Sequence, residues 1–168
     1  PADPDADAAT DAVPDAPPDA AFVCSTAGMT CPGSTPILLS CGNPGDCWVG
    51  CTNGTPITQA AATQHCTTWG GRLTPVYSST ELSCVRTALN GAIWVGLVQA
   101  PSQTVEDAGW SWNGDGLAPS YCPWAGGQPN DENGTENGAE QCAYVATSGA
   151  FHDEPCTNLL ARFSCRYP

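Results

Sequence analysis

Apolar positions along this chain change their period, and the change separates two kinds of secondary structure. After Thr55-Pro56, which offers a helix start with Pro at an early position, Ala62, Cys66 and Trp69 recur at helical spacing until Gly70-Gly71 stops them. A second helix is marked more fully. Ser78 and Glu81 form a capping-box pattern, and Leu82, Val85 and Leu89 define an apolar stripe that ends near Asn90-Gly91. The period then shortens to two. Ile93 to Leu97 and Cys142 to Ala146 read as strands rich in β-branched and aromatic residues. At the C-terminus Phe163, Cys165 and Tyr167 point one way and Arg162, Ser164 and Arg166 the other, which predicts a half-buried strand.

Residues 98 to 141 keep neither period and are crowded with Gly, Pro, Asn, Asp and Trp. A loop of that length inside a compact domain is usually functional. It carries Trp110, Trp112 and Trp124 together with Glu106, Asp107, Asp115, Asp131 and Glu132, and the first two tryptophans read as core before they read as binding platforms. Gln128-Pro129-Asn130, with Glu140 shortly before Cys142 and Asp153 shortly before Cys156, sets oxygen-bearing side chains on a helix-poor segment stapled by cysteines. That donor chemistry suits a hard cation such as Ca²⁺.

Upstream the chain changes character. Residues 1–21 are almost entirely Ala, Asp and Pro and have little to bury, which predicts an extended, solvated tether, either a spacer or a tail without a specific role. Residues 22–53 pack Cys24, Cys31, Cys41, Cys47 and Cys51 among turn-forming residues, so they read as a disulfide-stapled neck; the spacings are too irregular for a zinc ribbon. Residues 54–168 form the remaining domain.

Composition narrows the setting. Eleven cysteines and no lysine in 168 residues indicate an exported protein, and the absence of a basic, apolar leader at Pro1 reads as a mature form. An odd cysteine count leaves one thiol free, masked or bonded to another chain. The net charge is −13, and six of the seventeen acids lie in the first twenty positions. Such a balance argues against nucleic acid and anionic membranes, both of which need a basic face. No apolar run is long enough to insert in a membrane. The tether and the missing lysines lean toward a bacterial host. Asn53 and Asn133 head Asn-Gly-Thr sequons that would carry glycans only in a host that performs the modification.

In chain order, Gly70-Gly71-Arg72-Leu73 after the Cys66 helix, the Ser78 to Glu81 cap, Trp94-Val95-Gly96-Leu97, Trp110-Ser111-Trp112, Trp124-Ala125-Gly126-Gly127-Gln128-Pro129-Asn130, Glu140-Gln141-Cys142 and Phe163-Ser164-Cys165 resemble a C-type lectin-like domain, over residues of about 47–168. The resemblance implies an α+β fold with two helices, two small antiparallel sheets and a long ligand-binding loop region. It implies disulfides Cys66 with Cys165 and Cys142 with Cys156, and often a cis peptide before Pro129. It further implies Ca²⁺ on Gln128, Asn130, Glu140 and Asp153, with sugar hydroxyls completing the coordination and Trp124 or Phe151 as stacking rings. Where sugar-binding members usually have Trp-Asn-Asp, this chain has Phe151-His152-Asp153, and imidazole nitrogen is a poor donor for Ca²⁺. His152 is thus a weak candidate ligand, and Asp131, Glu132 or Glu136 are the acids that could compensate. Gln with Asn matches neither the galactose pairing of the family, Gln with Asp, nor its mannose pairing, Glu with Asn.

The function so implied is an exported, calcium-assisted carbohydrate-binding module for adhesion or surface recognition, with a glycan or glycoprotein as partner. The rival class is structural: a self-assembling extracellular subunit, joined through the odd cysteine or the tether. Catalysis is not expected, because exported cysteines are mostly oxidised, His65 and His152 have no evident nucleophile, and no carboxylate spacing singles out a pair.

Overall fold

The computed structural model describes residues 23–42, 45–52 and 54–167. The expected tether and the Asn53 sequon lie outside them. The described elements are β1 (Ile37–Leu39), β2 (Cys47–Cys51), α1 (Gln59–Trp69), β3 (Arg72–Leu73), α2 (Ser79–Leu89), β4 (Ile93–Gln99), β5 (Trp110–Trp112), β6 (Cys142–Val145), β7 (Phe151–Glu154) and β8 (Phe163–Tyr167).

Both helices begin where a hydroxyl can reach the third helical amide. Thr58 caps α1 by accepting from the Ala61 N–H at 3.2 Å. The helix therefore starts later than Thr55-Pro56 suggests, because Ile57 exchanges both backbone hydrogen bonds with Leu160 and is held in a β-bridge. Ser78 caps α2 through the Glu81 N–H, and the Glu81 carboxylate reaches back to the Tyr77 N–H at 2.7 Å, one residue beyond the usual box partner. Leu82, Val85 and Leu89 are buried, and Asn90 ends the helix in the left-handed region at φ 47°.

The strands form two antiparallel groups. One runs β1-β2-β8 with β3 also on β8; the other joins β4 to β5 and β6, and β6 to β7. A single parallel pair, Trp94 with Phe163, links them into one mixed network. At the crossing with β3, a Cβ on Gly96 would stand 2.4 Å from the Leu73 carbonyl oxygen, so the close approach requires glycine.

β8 is buried on both faces rather than half-buried. It has strands on each side, Ser164 hydrogen-bonds Thr74 at 2.8 Å, and Arg166 lies between the rings of Trp48 and Tyr77, paired with Asp46 and Glu81. The long segment 98–141 also holds more structure than its composition suggests. β4 runs on to Gln99, and Trp110-Ser111-Trp112 pairs with it, three residues being too few to show a period among turn formers. β7 escapes sequence reading for a related reason: only Phe151 of its four residues is apolar, and pairing with β6 makes the strand.

The disulfides are Cys24–Cys47, Cys31–Cys51, Cys41–Cys84, Cys66–Cys165 and Cys142–Cys156. Segment 23–52 is thus bolted to α2 through Cys41 and shares the sheet through β2. Cys122 is the free cysteine; it is half-buried, and burial pushes its thiol up to about 12. A thiol so protonated is a poor partner for intermolecular exchange.

Candidate functional site

The Gln128-Pro129-Asn130 loop is footed on β7. The Ala125 N–H donates to the Phe151 carbonyl, the Phe151 N–H to Pro123, and the Gln128 N–H back to Ala125. The peptide before Pro129 is cis. Two residues on, Asp131 and Glu132 take left-handed conformations at φ 43° and 69°, which fold the next turn inward.

Three carboxylates organise this turn. Asp153 Oδ2 accepts from the Asn130 and Asp131 N–H groups at 2.8 and 2.7 Å, while the Asp153 N–H lies 3.3 Å from Gln128 Oε1. Asp131, 1% exposed, accepts the Glu140 N–H on one oxygen and the Asn137 N–H on the other. The Glu132 N–H lies 3.0 Å from Asn130 Oδ1 and 2.7 Å from Glu140 Oε2, so these two oxygens converge on one donor. The structure therefore brings Gln128, Asn130, Glu140 and Asp153 together. Asp131 is engaged by backbone N–H groups at both its oxygens.

Charge at this end is poorly compensated. Burial above all, and then repulsion from Asp153, Glu154 and Asp131, raises the Glu140 carboxyl to about 7 against the pull of its bond from Glu132. Asp153 Oδ1 is buried with no hydrogen-bond partner among the described residues. The ion pairs among the described residues are Arg72–Asp115, Arg166–Asp46 and Arg166–Glu81, and none reaches these acids. A buried carboxylate oxygen without a donor is costly unless a cation meets it. Among the described residues no three His, Cys, Asp or Glu side chains gather as a metal-binding group. The four side chains here include only two carboxylates; the other donors are amide oxygens, which a hard cation accepts equally.

His152 is elsewhere. Alternation along β7 turns it to the face opposite Asp153, where its ring stacks on Tyr144 at 5.3 Å between centroids. Trp124 is also committed: its ring meets Trp110 at 5.0 Å and Phe151 at 6.1 Å, both edge-on, and Phe151 is fully buried. Phe151 is therefore closed to a sugar, while Trp124 is half-buried. The surface beside the loop is instead a depression of about 460 Å³ lined by Val105, Glu106, Asp107, Gly127, Gln128, Pro129, Asn130 and Gly134.

A polar centre that sequence reading missed holds the far wall. Gln99, 5% exposed at the end of β4, places its Nε2 at 2.9 Å from the Ala108 carbonyl and from Glu136 Oε2, 3.2 Å from the Glu106 carbonyl and 3.3 Å from that of Val105. Its Oε1 accepts from Gln141, whose amide also reaches Glu136 Oε1. The available signal was a glutamine closing an otherwise apolar strand, Ile93-Trp94-Val95-Gly96-Leu97-Val98-Gln99.

The family model for the Lectin C-type domain matches residues 55–167. The chain belongs to that family. The lectin domain is 32% identical over 112 residues to pulmonary surfactant-associated protein D of Sus scrofa, covering 64% of this chain and 28% of that protein. It is 30% identical over 77 residues to the type-2 ice-structuring protein of Hemitripterus americanus, covering 46% of this chain and 44% of that one. The chain thus spans less than half the length of either relative. Both are animal proteins and lend no support to a bacterial source. The carbohydrate-recognition domain of the mouse scavenger receptor C-type lectin superposes with a TM-score of 0.65 at 22% identity, covering 80% of this chain and 98% of that one. No helix among the described residues of the lectin domain is long and apolar enough to cross a membrane.

Proposed function

We propose that this C-type lectin domain is a carbohydrate-binding module that works outside the reducing cytosol and captures glycans through Ca²⁺ held by Gln128, Asn130, Glu140 and Asp153. The observation that carries the reading is the orphaned Asp153 Oδ1 in a buried, acid-rich turn whose other oxygens converge. Ca²⁺ bound there would offer open coordination positions to vicinal sugar hydroxyls. The chain's part is to fix the oxygens: Asp131 shapes the turn, and Asp153 tethers Asn130 through the backbone. Its five disulfides fit export. The relationship to surfactant-associated protein D supports the reading at family level only.

Uncharged sugars suit this surface best. The chain has no lysine, and Glu106 and Asp107 line the depression. Calorimetry should show calcium-dependent heat for the wild type and none for an Asn130→Ala, Asp153→Ala double variant, and a chelator should release captured glycan. No calcium heat in the wild type would defeat the mechanism. A second reading, self-association, draws on β1, an edge strand exposing Ile37 and Leu38. Size-exclusion chromatography of the reduced and oxidised protein would reveal it.

A further inference from the structure

We propose that the Gln99 amide is an ion-free clasp: a positioning residue that holds the Val105–Asp107 wall of the depression against the loop bearing Gln128 and Asn130. Four oxygens lie within 3.3 Å of one nitrogen, three of them backbone carbonyls and one the Glu136 carboxylate. Oxygens gathered in this way repel one another unless something positive sits among them, and hard cations commonly supply it. Here a neutral NH₂ group does so, sharing two hydrogens among four acceptors.

The amide's orientation is dictated by its neighbours. Gln141 Nε2 donates to Gln99 Oε1 at 2.9 Å and to Glu136 Oε1 at 3.1 Å, so Gln99 must turn its nitrogen toward the carbonyl ring. Three stretches of chain thereby meet at one side chain: the end of β4, the 105–108 turn, and the 136–141 segment that continues the Asn130–Asp131 turn. The same turn is closed by the Ala108 N–H donating to the Val105 carbonyl at 3.2 Å, the Ala100 N–H to the Gly109 carbonyl and Trp110 Nε1–H to the Glu106 carbonyl, which gives the clasp local reporters. The consequence for the site proposed above is that one wall stands without metal, whereas the facing turn awaits it. The clasp itself does not depend on sugar binding.

Hydrogen exchange on the full chain, with saturating Ca²⁺ or with chelator, tests the clasp through the Ala108 amide and the Trp110 indole N–H. Wild-type exchange at both should agree within about twofold between the two conditions. Gln99→Ala should speed both at least tenfold in either condition while the β4 amides keep their protection. Gln99→Glu, the same size, sets a second carboxylate against Glu136 and the carbonyls; both reporters should exchange fast in chelator, recover with Ca²⁺, and calorimetry should count one more Ca²⁺ per chain than in wild type. Wild-type reporters that slow tenfold or more on adding Ca²⁺ would overturn the proposal, because an ion would then be the brace. Unchanged exchange in Gln99→Ala, or a Gln99→Glu variant that Ca²⁺ fails to restore, would also overturn it. The wild-type comparison needs no variant to fold. A calcium-indifferent wall beside a failed calcium titration would leave the clasp standing and remove the lectin mechanism.

Discussion

The two walls of the depression solve one problem with opposite chemistry. Around Gln99 a neutral amide collects carbonyl oxygens; around Asp131, Glu140 and Asp153 carboxylates collect backbone N–H groups. The first arrangement leaves no excess charge at its centre apart from Glu136, so a chelator has little to act upon. The second packs carboxylates into a buried turn, and burial first, with repulsion from its acidic neighbours second, raises Glu140 to about 7. One wall is built to stand unaided, and the other is built with a positive charge in view.

Removing Asp131 should break the comparison most severely. Both its oxygens are engaged, it is almost wholly buried, and Asp131→Ala would strand the Asn137 and Glu140 N–H groups. Losing two charge-assisted bonds and leaving buried donors unmet costs on the order of 3 kcal/mol or more. Thermal unfolding should show it as a clear drop in Tm, and calcium affinity should fall at least tenfold although Asp131 is not assigned as a ligand. Retained calcium affinity in a destabilised Asp131→Ala would show that the turn's shape is set elsewhere.

The pH response comes next in size. Because the folded Glu140 carboxyl titrates at about 7 against an ordinary 4.5, folding takes up a proton there. Its contribution to stability is complete below about pH 4.5 and is lost as pH rises to about 7. In chelator, Tm should therefore decline across that window, and Glu140→Gln should flatten the decline. Calcium needs the ionised form, so its affinity should rise over the same interval and level off above it. A chelated wild type whose Tm does not fall would mean that burial does not hold Glu140 protonated in the folded chain.

Legibility in the sequence followed the distance over which each part is held together. α2 was readable because Ser78, Glu81, Leu82, Val85 and Leu89 act within one helix. The Gln128-Pro129-Asn130 loop was readable as a motif, and Glu140 and Asp153 as its companions. The clasp was not, because Gln99 meets Glu136 and Gln141 across 37 and 42 residues and no local period forecasts such a meeting. Asp131 was visible as an acid but not as an organiser, since its partners are backbone amides placed by the left-handed turn at 131 and 132. The surroundings of Trp124 and His152 were not legible for the same cause. Their rings are claimed by Trp110, Phe151 and Tyr144, contacts that depend on sheet register rather than on neighbouring residues.

The smallest effect sharpens the carboxylate wall by asking what His152 withholds from it. By family pattern the position calls for an amide oxygen, so His152→Asn would be expected to complete the ligand set. The β7 register argues otherwise: Tyr144 stands opposite residue 152, and alternation turns that side chain away from the face carrying Asp153. An asparagine there would lose the stacked ring and still point to the Tyr144 side. Calcium affinity should change less than threefold, while Tm falls slightly from the lost ring contact, roughly 0.5–1.5 kcal/mol. A tenfold gain in calorimetry would mean that the strand end can rotate residue 152 toward the ion, and that the wall's shape is set by the metal rather than prepared for it.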